Sequence, residues 1–240
     1  MNRENRKWIV YFDRPGPINT RGILECCKER ALELGLSTVV IASLRGASAK
    51  LAVEMFEGTG LRVVAVTIPP GAYWVVDSLT NDLWKDIPEF RAQKEEWVRA
   101  GLERVRMDMD EETESLLASK GARVVRGTIP FYGIGTSLTA RFKGMNYEQY
   151  LTEALRLISG GTIVCVEVAI MAADAGAIPA DEEVVVAAGT SMGLDTALVV
   201  RPSTSLTFAD PGCGLEIREI VAIPREKPKY SPEGVGEEYR

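Results

Sequence analysis

Two runs of β-branched residues, Thr38-Val-Val-Ile-Ala42 and Arg62-Val-Val-Ala-Val-Thr67, flank a helix-patterned stretch at residues 49–56. Strands this uniformly apolar have no polar face, so both of their faces must be covered. That is the habit of a parallel sheet with helices on each side. Two parallel strands also need a crossover, and the intervening helix supplies it. The chain is therefore read as α/β, a three-layer α/β/α fold with a mostly parallel sheet.

The turn that opens this βαβ unit, Ser43-Leu-Arg-Gly-Ala-Ser48, is built like an anion cradle. Ser43 and Ser48 offer hydroxyls and Arg45 a guanidinium. Gly46 and Ala47 bring backbone N–H groups close, and the following helix start adds partial positive charge. Phosphate is the natural guest. The alternative is a plain βα turn capped by Ser48.

The charge balance limits what else the chain can hold. Its 240 residues carry a formal net charge of −6, with 46% apolar and 26% charged residues. A nucleic-acid surface needs clustered Lys and Arg, so none is expected. Localised cations such as Arg45 and Lys50 still suit one small anion. No apolar run reaches membrane-spanning length, and Trp8-Ile-Val-Tyr-Phe12 is too short for a signal-peptide core, so a cytoplasmic location without membrane partners is expected.

Histidine is absent. That removes Ser-His and Cys-His dyads, His-based metal sites and the usual general base near neutral pH. Cys26, Cys27, Cys165 and Cys213 form no CxxC pair, and they read as reduced thiols, not as a zinc site or disulfide framework. No metal is expected. If the protein is an enzyme, a cofactor carries the difficult chemistry.

Further strands are expected at residues 8–12, 122–126, 183–188, 197–201 and 215–223. Helices are expected at 20–34, stopped by Gly35, and at 147–158, stopped by Gly160-Gly161. Residues 162–175 fit strand or helix. Residues 72–120 read as a mostly helical insertion, with Trp74, Trp84 and Trp97 as packing anchors or, less favoured, as ligand-stacking rings. Asp108-Met-Asp-Glu-Glu112 has the composition of a metal cluster but reads more simply as a helix start. One α/β domain over residues 1–223 and a charged tail at 224–240 complete the plan.

Asp13, Ser43, Thr67, Thr128 and Thr190 each follow an apolar strand. In a parallel sheet such exits share one edge, where ligands bind. A second glycine loop, Gly189-Thr-Ser-Met-Gly-Leu-Asp-Thr196, opens there too. Gly189 and Gly193 permit close backbone approach, while Thr190, Asp195 and Thr196 supply polar groups. Asp195 suits ribityl hydroxyls or a neighbouring backbone turn. The first loop is thus expected to hold phosphate and the second the polar middle of a ligand. Glu167, the one carboxylate in an apolar segment, reads either as a raised-pKa acid in a cleft or, preferentially, as a partner of backbone N–H groups.

Thr20-Arg-Gly-Ile-Leu-Glu25, the Ser43-to-Ser48 turn, Val63-Val-Ala-Val-Thr67 and residues 184–200 resemble the C-terminal α/β domain of pyruvate kinase. The closer resemblance is to stand-alone proteins that carry this domain without the catalytic barrel. It rests on Tyr11-Phe12 with Pro15-Gly-Pro17, Asn19-Thr20, Cys165-Val-Glu-Val-Ala-Ile-Met-Ala-Ala-Asp-Ala-Gly176, Gly189-Thr190 and Asp195-Thr-Ala197, and spans roughly residues 8–223. The resemblance implies a helix at 162–175, a phosphate on the first turn, Asn19 and Thr20 at the site, and bound flavin mononucleotide (FMN) with an unassigned reaction. The family often has Thr-His after its second and third strands. Thr67-Ile68 and Thr128-Ile129 stand here instead, and residues 69–94 follow the family poorly. Two functions compete: a flavin protein with a redox role, and a non-catalytic sensor of a sugar phosphate or other phosphorylated metabolite. Homo-oligomerisation is left open.

Overall fold

The structure, a computed structural model, describes residues 6–227. Its main sheet has seven strands in the order β1-β9-β8-β7-β2-β3-β6. These are β1 (Val10–Phe12), β2 (Thr38–Ala42), β3 (Arg62–Thr67), β6 (Arg123–Arg126), β7 (Val184–Ala188), β8 (Thr196–Arg201) and β9 (Glu216–Pro224). Only β8 runs against its neighbours. The sheet is therefore mostly parallel, as its apolar strands predict.

Alternate strand residues face opposite layers. Val39, Ile41, Val63, Ala65, Val185 and Ala187 pack with Ile23, Leu24 and Cys27 of α1 (Thr20–Leu34), Ala49 and Ala52 of α2 (Ala47–Met55) and Leu117 of α5 (Glu111–Ser119). Val40, Val64, Val66, Val125, Val184 and Val186 face Cys165, Val168, Ala169 and Ala172 of α8 (Gly160–Asp174). The three layers follow from these two contact sets. From Gly160 to Ala173, α8 is buried at every residue except Val164. A helix enclosed on all sides loses its amphipathic stripe, which is why its sequence reads equally well as a strand. Its neighbour α7 (Tyr147–Arg156) lies outside it.

Several boundaries differ from the sequence reading. Gly160-Gly161 opens α8, with the Ser159 hydroxyl accepting the Thr162 N–H at 2.9 Å. β9 continues to Pro224, and beyond it the N–H groups of Arg225 and Glu226 donate to Phe12 and Asp13 at 2.7 and 3.1 Å. The tail therefore begins as an extension of the sheet; the expectation for residues 228–240 lies outside the described residues.

The insertion is not wholly helical. β4 (Tyr73–Val75) and β5 (Arg104–Arg106) form a separate antiparallel pair around α3 (Asp82–Asp86) and α4 (Pro88–Arg99). Its core is aromatic: Trp74 stacks on Trp97 with centroids 5.5 Å apart, and Trp84 lies 5.3 Å from Phe90. The tryptophans are thus packing anchors, 2–5% exposed. Ile68, Leu44, Ile129 and Met192 join this cluster, so the insertion caps the edge where β2, β3, β6 and β7 end. An ion network locks it there. Buried Asp108 accepts Arg106 Nε and Nη2 at 2.7 and 2.6 Å and Arg126 Nη1 at 3.0 Å. Arg126 also donates to the carbonyls of Ile68 and Met109. Asp108 is therefore the hub of an ion network. Asp110 caps α5, accepting the Thr113 N–H at 2.7 Å, and among the described residues no acidic cluster is arranged to hold a metal.

Because the cap shares a core and an ion network with the sheet, it should unfold with it. Trp84→Ala is expected to cost about 3–5 kcal/mol, the usual range for emptying a buried tryptophan site. Denaturant titration followed by both fluorescence and far-UV circular dichroism should give one coincident, shifted transition. Two separated transitions would show an independent cap.

Candidate functional site

The first loop joins β2 to α2 at the carboxyl edge. The Ser43 N–H donates to the Val66 carbonyl at 2.9 Å, and its hydroxyl accepts the Ala49 N–H at 3.1 Å. Ser43, not Ser48, therefore satisfies a first-turn donor of α2. Gly46 holds φ +91°, and a Cβ there would lie 2.3 Å from Thr113 Cγ2 of α5. Glycine is required twice over, for backbone conformation and for close packing. Arg45 and Ala47 are exposed, and Ser48 is buried beside them. The N–H groups of Ala47 and Ser48 lie in the first helical turn, where the helix itself provides no acceptor. Lys50 is engaged elsewhere, its ammonium donating to Thr113 Oγ1 at 3.1 Å.

The strand exits beside it are already bonded. Thr67 Oγ1 donates to the Leu44 carbonyl at 2.7 Å and accepts the Met109 N–H at 3.2 Å. This hydroxyl clamps the first loop to the start of α5. Thr128 is exposed beyond β6.

The second loop converges on one carboxylate. Asp195 is fully buried, and its Oδ2 accepts the N–H groups of Gly16 at 3.1 Å and Thr190 at 2.9 Å. Its Oδ1 accepts Thr196 Oγ1 at 3.0 Å, and Thr196 in turn meets Ser159 Oγ at 2.9 Å. Burial pushes the Asp195 pKa up, and the bonds from Thr190, Thr196 and Gly16 pull it back. Gly161 has no room for a side chain, since a Cβ would lie 2.7 Å from Asp195 Oδ1 and 2.3 Å from Thr196 Oγ1. The carboxylate thus sits against the amino end of α8, where helix charge favours an anion. Gly193 packs on the turn after β1, its missing Cβ only 2.5 Å from Pro17 Cα. Gly189 is pressed equally closely, 2.3 Å from the Gly193 carbonyl oxygen. Thr20 Oγ1 accepts the Leu194 N–H at 3.0 Å and donates to the Pro17 carbonyl at 2.7 Å, and the Asn19 amide donates to the Arg14 carbonyl at 2.7 Å.

All the residues expected at the site therefore lie along one edge, but in two conditions. Asn19, Thr20, Ser43, Thr67, Asp195 and Thr196 have polar groups turned into bonds that hold the edge together. For Asp195 the arrangement is the backbone-turn alternative. Arg45, the Ala47 and Ser48 N–H groups, exposed Thr128 and Ser191 remain available. Thr190 is 2% exposed, its side chain turned to the Asp195 carboxyl group. Ser191 beside it holds φ +70°, a left-handed conformation serine seldom adopts.

Sequence reasoning missed Ser159, Thr113 and the Arg126–Asp108 pair. Ser159 was legible as a Ser-Gly-Gly-Thr helix start; the others depend on long-range packing. The two clefts of about 360 Å³ lie at the opposite edge, one by residues 58–61 and 120–122, the other by residues 35–38 and 182–184. They contain none of the candidate residues.

Glu167, 4% exposed on α8, receives the Phe131 N–H, while its Oε1 has no partner. Loss of hydration pushes its pKa from 4.5 up to about 8, against the opposing pull of that N–H. No protein-family model matches the chain.

Two outcomes follow. Asp195→Ala strands the buried N–H groups of Gly16 and Thr190, each costing about 1–3 kcal/mol, so a loss of at least ~2 kcal/mol is expected in urea unfolding. A loss under ~1 kcal/mol would remove Asp195 as the organiser of the edge. For Glu167, the folded protein keeps its proton up to about pH 8, whereas the unfolded chain ionises near 4.5. Folded protein thus binds more protons between those values, and stability falls as pH rises, by up to about 1.4 kcal/mol per pH unit. Glu167→Gln should remove this slope, gaining on the parent from pH 5 to pH 8 in paired unfolding curves. A pH-independent difference would contradict the assignment.

Proposed function

We propose that this chain is a stand-alone relative of the pyruvate kinase C-terminal domain. In this reading it binds a phosphorylated small molecule, flavin mononucleotide, at the carboxyl edge of its sheet. One comparison carries the phosphate assignment. Helices α1, α2, α5 and α8 all begin at this edge; α1 continues the turn of residues 17–19, whose Pro17 carbonyl accepts the Thr20 N–H. The start of α8 faces the Asp195 carboxylate, and α5 begins with Asp110, Glu111, Glu112 and Glu114. The first turn of α2 has no acidic residue, and exposed Arg45 stands beside it. An added anion is repelled at the starts of α8 and α5 and attracted at that of α2.

The residues beyond α2 fit the rest of the ligand in part. Ser191 brings an exposed hydroxyl at the same loop, suited to a ribityl hydroxyl. Leu44, Ile129 and Met192 are half-buried apolar residues at the same edge, suited to a ring system. Asp195 orients Thr190 through its backbone N–H instead of reaching the ligand itself. The tryptophans lie inside the cap and support that apolar surface from behind. Bound flavin supplies hydride or single-electron transfer; Arg45 and the α2 start hold its phosphate, and the cap limits water at the edge.

Replacing both Arg45 and Ser48 by alanine should weaken FMN binding at least tenfold, since a charge-assisted contact contributes roughly 1.5–3 kcal/mol. Stability should change little for the exposed Arg45 in the Arg45→Ala single variant. Isothermal titration with FMN and with a sugar phosphate separates the flavin protein from the metabolite sensor. A yellow protein as purified supports flavin. Unaltered affinity for both ligands in the double variant would remove the phosphate from α2.

A further inference from the structure

Helix α6 (Ile134–Phe142) follows the β6 exit and has no buried residue. A helix of nine residues is too short to hold itself in water and needs a packed face. Ile134, Leu138 and Phe142 recur at every fourth position, forming one stripe that is 80%, 51% and 69% exposed. Met145, Tyr147 and Tyr150 are 57%, 91% and 61% exposed. A Cβ on Gly135 would lie 2.6 Å from Asn146 Nδ2 and 3.4 Å from Glu148 Oε2. The start of α7 therefore lies against the start of α6, so the two sets of side chains flank one helix junction.

The exposed apolar area there has the size of an interface. Aromatic side chains offer about 150–250 Å² each, so the exposed parts of these three provide on the order of 450 Å². With the three aliphatic side chains the exposed apolar area of α6 and the adjoining start of α7 reaches roughly 700–800 Å². It matches one partner's share, about 800 Å², of a standard protein interface.

Its charges are self-complementary. Exposed Arg141 and Lys143 mark the carboxyl end of α6. Glu148 marks the amino end, beside Gly135. Two such helices laid antiparallel bring opposite charges together at both ends, whereas a parallel pair opposes like charges. A two-fold axis produces that arrangement automatically. The stripe at i, i+4 and i+8 is a ridge able to interdigitate with its own copy.

We propose that this face pairs with the same face of a second copy of the chain, α6 against α6 in antiparallel sense, with Arg141 of each copy against Glu148 of the other. The chain is then an isologous dimer, whatever binds at the sheet edge.

Sedimentation of the full chain tests this directly. The parent should sediment at twice the chain mass, and Leu138→Glu should sediment as a folded monomer with an unchanged circular dichroism spectrum outside α6. Arg141→Glu and Glu148→Arg should each raise the dissociation constant roughly tenfold or more, because each creates two like-charge contacts per dimer. Combined in one chain, the two reversals should restore the dimer. A monomeric parent overturns the proposal, as does a dimer indifferent to Leu138→Glu. Charge reversals that weaken the dimer without mutual rescue overturn the antiparallel pairing.

Discussion

The Asp195 carboxylate holds together parts of the chain that are remote in sequence. It binds the backbone of Gly16 after β1 and of Thr190 after β7, and through Thr196 it reaches Ser159 at the start of α8. Bringing a carboxylate out of water costs several kcal/mol, so its bonds must be good ones. That requirement is what gives the edge its definition. The loop of residues 189–195 cannot shift without orphaning a buried charge. The turn at Gly16 cannot shift either, and Gly161 and Gly193 let backbone and side chains approach closely enough to complete the knot. A βα edge elsewhere tolerates loose loops; this one is over-determined at its β1–β7–β8 end.

The opposite end of the same edge is fixed by different chemistry. Ile68 and Ile129, which follow the threonines at the β3 and β6 exits, enter the aromatic cluster of the cap together with Leu44 and Met192. An imidazole at position 68, which is 6% exposed, would need a polar partner among tryptophans. The isoleucines and the cap are therefore one feature of the sequence. Asp108, bracketed by Arg106 and Arg126, then ties the cap to β6 and to the β3 exit. Both guanidinium groups hold its carboxyl below the ordinary aspartate range, Arg106 foremost.

Most of the fold is legible in the sequence because parallel strands in a three-layer protein are buried on both faces, and Thr38-Val-Val-Ile-Ala42 and Val184-Val-Val-Ala-Ala188 show this without any context. The same burial hides α8: its apolar residues point in every direction, and only its Ser159 cap distinguishes it from a strand. The β4–β5 pair is hidden for the opposite reason. Two three-residue strands leave almost no alternating pattern, and Tyr73-Trp-Val75 owes its conformation to the tryptophan core. Helix α6 leaves little trace because its apolar stripe enters none of the hydrophobic clusters among the described residues. The site was legible as an edge and not as a set of contacts. Small polar residues at strand exits announce a functional edge, yet Thr67, Thr20 and Thr196 turn their hydroxyls into the protein.

Polar residues at such an edge have two duties, and bonding geometry separates them. A group that closes a long-range bond is part of the frame, and a ligand could take it only by leaving another buried group unpaired. A group whose first partner would be water is free to exchange that partner for a ligand. By this measure the edge divides. Its β7–β8 end already contains a carboxyl group, that of the protein's own Asp195, seated at a helix start as a ligand phosphate would be. Its β2–α2 end has a helix start whose Ala49 N–H is met by the Ser43 hydroxyl, with an arginine beside it. The internal carboxylate therefore does more than hold loops. By filling the α8 start it sets that helix apart from α2, whose first turn carries no acidic residue.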